Sequence, residues 1–224
     1  MAGYVVEFGK DGGSREADGR LDAPAFHRNH QAIQGVLQRY LTGKSGDVVE
    51  IGSGTGQHIV EFARQFPEIS WLPSDLNDNH LASIDAWRQH MQLSNIRPAR
   101  RCDVSDPAWG DAVEAEGGPP QLLGVFCANV IHIAPWQVAE GLIAGAGRVL
   151  RQGGMLFLYG PFKRGGKHTS DSNAAFDASL RHGNPEWGVR DVEAAEKLAG
   201  RAGLALIEIA EMPANNLMLV FGKD

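Results

Sequence analysis

Apolar positions along the chain change period repeatedly, from every third or fourth residue to an alternating or continuous run and back, and these changes predict its elements. Ala32, Ile33, Val36, Leu37, Tyr40 and Leu41 recur at helical spacing, so a helix begins near Pro24. Asp47-Val-Val-Glu-Ile51 is a β-branched run closed by glycines, after which Ile59, Val60, Phe62, Ala63 and Phe66 return to helical spacing until Pro67. Ile69 to Ser74 predicts a second strand, Leu81 to Leu93 a helix, Ala99 to Val104 a third strand and Gln121 to Val130 a fourth. Pro135 to Leu150 predicts a helix, and Met155 to Tyr159 a fifth strand beyond a Gly153-Gly154 turn. Asp191 to Arg201 reads as a last helix, and Leu204 to Ala210 and Asn216 to Gly222 as strands whose short link makes them antiparallel. The alternation predicts one α/β domain around a mostly parallel sheet.

Two segments depart from it. Residues 1–23, with Gly12-Gly13-Ser14 and acidic residues up to Gly19, predict a flexible arm ahead of a domain over 24–224. Residues 161–190 are rich in Gly, Ser, Asn and His and predict an irregular cap, since a long insert in a compact domain usually serves function.

Composition narrows the partners. The 224 residues carry a net charge of −6 with no basic run, against nucleic acid as a partner. No run of apolar residues is long enough to span a membrane, and the N-terminus lacks the apolar core of a signal peptide. Cys102 and Cys127 lie far apart in apolar stretches and read as buried free thiols, so the expected compartment is cytoplasmic. His27 and His30 lack a nearby third ligand, and no metal is expected.

The candidate chemistry starts where the first strand meets its glycines. Closely spaced glycines let backbone N–H groups approach a ligand, beside the positive end of the following helix. A dinucleotide fingerprint, G-x-G-x-x-G, needs glycine where Gln57 or Ile59 stands. A phosphate loop ending in Gly43-Lys44-Ser45 needs glycine at Gln38 and a preceding strand, where the pattern is helical. What remains is Glu50-Ile-Gly52-Ser53-Gly54-Thr55-Gly56. About twenty residues on, Asp75 ends the second strand, where doubly wound folds place a carboxylate on ribose hydroxyls. Asp75 could equally cap the next helix.

The Glu50–Gly56 run resembles motif I of class I S-adenosylmethionine-dependent methyltransferases. Ser53-Gly-Thr-Gly-Gln-His58, Pro73-Ser-Asp75, Tyr159-Gly-Pro-Phe162, Ser172-Asn173 with Phe176-Asp177, Asn184-Pro-Glu-Trp-Gly-Val-Arg-Asp191 and Met212-Pro-Ala-Asn-Asn216 extend the likeness from about Pro24 to the C-terminus. Together they resemble an uncharacterised family of short methyltransferase-like proteins of bacteria and animals. The resemblance implies a single-domain, Rossmann-like α/β fold with a seven-stranded mostly parallel sheet, one antiparallel strand and helices on both faces. It also implies S-adenosylmethionine as cofactor and S-adenosylhomocysteine as product. By the same likeness the cofactor wall comprises Arg28, Asn29, Glu50, Gly52, Ser53, Gly54, Thr55, Gly56, His58, Asp75, Leu76, Asp103, Val104, Asn129, Val130 and Ile131. Asp103 could instead start a turn, and Arg28-Asn29 could be an exposed helix start.

Alignment of an acceptor with the methyl carbon supplies much of the rate of such a transfer. His132, at the fourth strand's end, is the first candidate for a general base, with His58 and His168 behind it. A packed histidine is the other reading of His132. Tyr159, Phe162, Asn173, Trp187 and Arg190 are the candidates for enclosing the acceptor, although Trp187 and Arg190 could simply anchor the loop. The expected function is methyl transfer to a small-molecule acceptor. A catalytically silent module that binds S-adenosylmethionine or S-adenosylhomocysteine and works through protein partners stays open beside it. Protein methylation is disfavoured by the long cap, and nicotinamide chemistry by the glycine spacing.

Overall fold

The computed structural model describes residues 13–106, 108–110 and 121–224. In chain order the elements are β1 (Ser14–Arg15), β2 (Leu21–Asp22), α1 (Pro24–Leu41), β3 (Gly46–Ile51), α2 (Gln57–Gln65), β4 (Ile69–Asp75) and α3 (Asp78–Met91). Then follow β5 (Arg100–Arg101), β6 (Leu122–Ala128), a 3-10 turn (Val130–His132), α4 (Trp136–Val149) and β7 (Leu150–Gly160). The chain ends with β8 (Phe162–Arg164), β9 (Lys167–His168), α5 (Asp171–Gly183), β10 (Arg190–Asp191), α6 (Val192–Arg201), β11 (Leu204–Met212), a 3-10 turn (Pro213–Asn215) and β12 (Asn216–Lys223).

The expected α/β fold is present. A seven-stranded sheet runs in the order β11-β12-β7-β6-β3-β4-β5. Its neighbours are parallel except where β12 meets β7 and β11, so β12 is the one strand that runs against the rest. The chain enters at β3, builds outward through β4 and β5, and returns to place β6 on the other side of β3. That reversal makes β3 and β6 the switch point, where a crevice opens beyond the strand ends.

Alternation along the central strands divides the core in two. Val49, Ile51, Val125, Cys127, Leu156 and Leu158 join Val138, Leu142 and Ile143 of α4 and Val192 and Ala195 of α6 on one face. Val48, Trp71, Phe126 and Phe157 meet Ile33 and Leu37 of α1 and Ile59 and Phe62 of α2 on the other.

Three expectations are corrected. The third strand shrinks to Arg100–Arg101, a short edge strand of the kind that limits unwanted pairing. The Gly153-Gly154 turn falls inside β7, where a register shift against β6 absorbs it. The irregular cap over residues 161–190 is an ordered excursion: β10 pairs in parallel with β8, β9 pairs back on β8, and α5 lies between. The Ser170 hydroxyl caps α5 by accepting from the Asn173 N–H at 3.2 Å. This helix lacked an apolar stripe because the residues it buries are Asn173 and Asp177.

Of the expected arm, residues 1–12 lie outside the described residues. From residue 13 onward the chain forms the β1–β2 hairpin, and Leu21 is fully buried. Its N–H donates to Ser83 Oγ at 2.8 Å, and its carbonyl accepts from Trp87 Nε1 at 2.9 Å. This stretch is packed onto α3 rather than free. No helix among the described residues is long and apolar enough to cross a membrane.

Candidate active site

The ends of β3, β4, β6 and β7, with the residues that follow β5, border a cavity of about 730 Å³. The glycines after β3 shape it for separate reasons. At Gly52, φ is +67° and a Cβ would stand 2.4 Å from Val130 Cγ2, so the loops after β3 and β6 touch only without a side chain. At Gly56, φ is +89° and a Cβ would stand 2.8 Å from the Ile84 Cα of α3. At Gly54 nothing lies within 4 Å of that position, and the residue lines the cavity. The loop therefore offers bare backbone to a ligand.

Asp75 faces the same space. One carboxylate oxygen accepts from the Gly54 N–H at 2.9 Å and the other from the Asn77 N–H at 2.9 Å, which leaves lone pairs for hydroxyl donors. His80 of α3 also lines the cavity, with Nδ1 3.2 Å from Asp75 Oδ1. Sequence reasoning missed His80; its place one turn into the helix after Asp75 was the available signal.

Glu50 stands behind the loop, 2% exposed. Burial, with Asp75 nearby, pushes its carboxyl up to about 8, so it is mostly protonated at neutral pH. Ser53 is a staple: its N–H donates to the Ser74 carbonyl at 2.8 Å and its hydroxyl to the Glu50 carbonyl at 3.3 Å. Thr55 lines the cavity and donates to Gln57 Oε1 at 2.9 Å.

Leu76, Val104, Asn129 and Val130 reach the cavity as expected, joined by Cys102 and Ile133. Asp103 does not line it: its Oδ1 accepts from both the N–H and the hydroxyl of Ser105, at 2.9 and 2.6 Å. Ile131 is buried in the core instead. From α1, Arg28 and Asn29 both line the cavity. His58 sits behind Asn29, with Nε2 2.8 Å from Asn29 Oδ1, and burial lowers its ring to about 4.

The base role expected for His132 does not fit. The ring is 1% exposed and absent from the cavity wall, and a Cβ on Gly160 would stand 2.4 Å from its Nε2. Its edge packs on Phe162 at 4.9 Å between centroids, and burial, reinforced by Arg190, lowers it to about 3. It is a packed residue that joins the end of β6 to the cap: its carbonyl accepts from the Gly188 N–H at 2.9 Å. His168 is likewise drawn into the cap, with Nε2 3.3 Å from Asp177 Oδ2.

Among the acceptor candidates, Tyr159 and Asn173 line the cavity, and Phe162, Trp187 and Arg190 do not. Phe162 is fully buried. Arg190 donates to the carbonyls of Ile131, Ala134 and Glu186 and lies over the Trp136 ring at 5.5 Å, clamping the cap to the loop after β6. Ser172 of the cap also lines the cavity, and residues the sequence reading did not assign, among them Phe176 and Leu180 of α5 and Pro213, Ala214 and Asn216, complete the wall. No cluster of ligating side chains suited to a metal occurs among the described residues.

Comparison with known proteins supplies relatives for this arrangement. A family model described as a protein of unknown function, DUF938, matches residues 20–223. An O-methyltransferase family protein from Burkholderia thailandensis is similar in structure at a TM-score of 0.70 and 14% identity, over 87% of this chain and 57% of that one. A putative sarcosine dimethylglycine methyltransferase from Galdieria sulphuraria aligns at 0.70 and 11% identity, over 95% and 92% of the two chains. CalO1, a methyltransferase of calicheamicin biosynthesis solved with S-adenosylhomocysteine bound, aligns at 0.64 and 15% identity, over 87% and 54%. The chain thus spans little more than half of the Burkholderia protein and of CalO1, and at these identities the likeness establishes the fold.

Proposed function

The chain belongs to the DUF938 family, and from that premise we propose that it binds S-adenosylmethionine and transfers its methyl group to a small-molecule acceptor. The observation that carries the reading is the pairing of bare backbone at Gly54 with the Asp75 carboxylate on one wall of a cavity at the sheet's switch point. The fit to the cofactor is chemical. Asp75 suits two vicinal hydroxyls, and Leu76, Cys102 and Val104 offer an apolar slot beside it. CalO1 and its fellow methyltransferases share this fold, which supports the same chemistry.

When bound, the cofactor supplies an activated methyl group on a sulfonium. The residues of the chain hold and orient. Asp75 fixes the sugar through charge-assisted hydrogen bonds. Gly52 lets the loop after β3 close against Val130, bringing the Asn129 corner to the cavity at a φ of +62°. The face of α5 covers part of the cavity and helps exclude water.

Calorimetry with S-adenosylmethionine, S-adenosylhomocysteine and NAD in parallel tests the binding half. The first two bind and NAD does not. Asp75→Ala loses ~10–100-fold in affinity, as expected for a charge-assisted bond worth ~1.5–3 kcal/mol. Equal affinity in the variant removes Asp75 from the site. A metabolite-extract screen for labelled methyl transfer tests the catalytic half, and cofactor binding with no acceptor of any kind would contradict it.

A further inference from the structure

The cavity extends beyond the cofactor slot to the cap. Ser172, Asn173, Phe176 and Leu180 of α5 all line it, at spacings that share one helix face. Phe176 is 43% exposed, one of two large apolar side chains so exposed among the described residues. Pro161, Pro213 and Ala214 add apolar wall. The turn bearing the last two is shaped at a cost: Ala214 and Asn215 both stand at φ +57°, and Asn173 Nδ2 pins the Asn215 carbonyl at 2.8 Å.

Among the polar groups on this wall, Tyr159 has its hydroxyl held in a fixed direction. The Tyr159 oxygen accepts from Asn216 Nδ2 at 3.0 Å. With its oxygen accepting from that amide, the phenol has its own proton left to donate to a ligand. Arg28 lines the same cavity and acts electrostatically on Tyr159.

We propose that this end of the cavity is an acceptor subsite for a flat apolar molecule bearing an oxyanion, a carboxylate or phenolate, read by the Tyr159 O–H and the Arg28 charge. Phe176 and Leu180 lie against its apolar body. The identification of this molecule as the methyl acceptor rests on the methyltransferase reading; its recognition by the pocket does not. An oxyanion also suits a site from which His132 is sealed off. The O–C bond forms as the C–S bond breaks, sulfur keeps the bonding pair and loses its positive charge, and no proton has to be removed. A cationic amine is disfavoured by Arg28.

Calorimetric titration of the full chain with naphthoate and with naphthylmethylammonium, each with and without saturating S-adenosylhomocysteine, tests the proposal. Naphthoate binds, and the ammonium probe binds at least about tenfold more weakly. Tyr159→Phe weakens naphthoate about tenfold. Phe176→Asn, at an exposed position, weakens it several-fold and leaves the melting temperature and S-adenosylhomocysteine affinity unchanged. Equal binding of the two probes, or binding of neither, overturns the proposal. The anionic oxygen has a second source, the carboxylate of the cofactor itself, which methylthioadenosine lacks. If Tyr159→Phe weakens S-adenosylhomocysteine but neither methylthioadenosine nor naphthoate, the subsite serves the cofactor and the proposal is overturned. Naphthoate binding in a chain that fails to bind S-adenosylhomocysteine would sink the cofactor reading and leave the oxyanion pocket standing.

Discussion

At the scale of single residues, burial decides which titratable groups work at the cavity and which hold the scaffold. His132 and His58 are kept neutral inside, at about 3 and about 4 against an ordinary 6.5. Their unfolded forms bind protons more readily, so the stability they contribute is complete above pH 6.5 and is lost as pH falls toward those values. Glu50 has the opposite sign. Its carboxyl is at about 8 against 4.5 when free, so the folded state is penalised increasingly as pH rises between the two. Urea midpoints check both: Glu50→Gln is stabilised relative to the parent at pH 8 and nearly unchanged at pH 4.5. His132→Gln shows a smaller loss than the parent between pH 7 and pH 5. An identical pH dependence in all three chains would contradict the assigned burial. His132 also shows where sequence reading stops. Its position at a strand end was legible, and its packing against Gly160 was not, because that contact joins residues 28 apart through a tertiary approach.

At the scale of elements, the cap is held by a buried charge. Asp177, 6% exposed, meets Lys163 at 3.0 Å, His168 at 3.3 Å and Arg181 at 3.2 Å, and accepts from the Val189 N–H at 2.7 Å. One carboxylate thus ties α5 to β8, β9 and the approach to β10, and, against the effect of burial, Lys163, Arg181 and the Val189 N–H hold it below its usual range. Removing one partner of a buried pair typically costs ~3–5 kcal/mol. Asp177→Asn is therefore expected to speed amide exchange across α5 by an order of magnitude or more, with β3 and β6 unaffected. Exchange unchanged in α5 would remove Asp177 as the anchor. The central β-α units were legible because β3, β6 and their helices bury continuous apolar runs. The cap was not, because polar contacts stabilise it, and a hydrophobic period cannot reveal a helix whose buried positions are Asn173 and Asp177.

At the scale of the molecule, strand order explains why the candidate site was partly readable. The ends of parallel strands border the switch-point crevice, so Gly54 and Asp75 were readable from strand order, whereas Val104 and Asn129 came from the family resemblance and Asp103 turned aside to Ser105. The acceptor side has no such rule. Its wall comes from α5, the turn before β12 and the start of α1, joined only by the complete fold. The N-terminal stretch closes the assembly: the Ala23 N–H donates to Gln57 Oε1 at 2.8 Å, and Ser83 Oγ donates to the Thr55 carbonyl at 2.7 Å while accepting from Leu21. Hairpin, glycine loop and α3 thus form one hydrogen-bonded wall. A crystal structure of the chain soaked with S-adenosylhomocysteine bears most directly on this account. It should place the ribose hydroxyls on Asp75, with the adenine beside Leu76 and Val104 and the sulfur toward Asn129. A ligand found elsewhere, or a cleft that stays empty at saturating concentration, would contradict it.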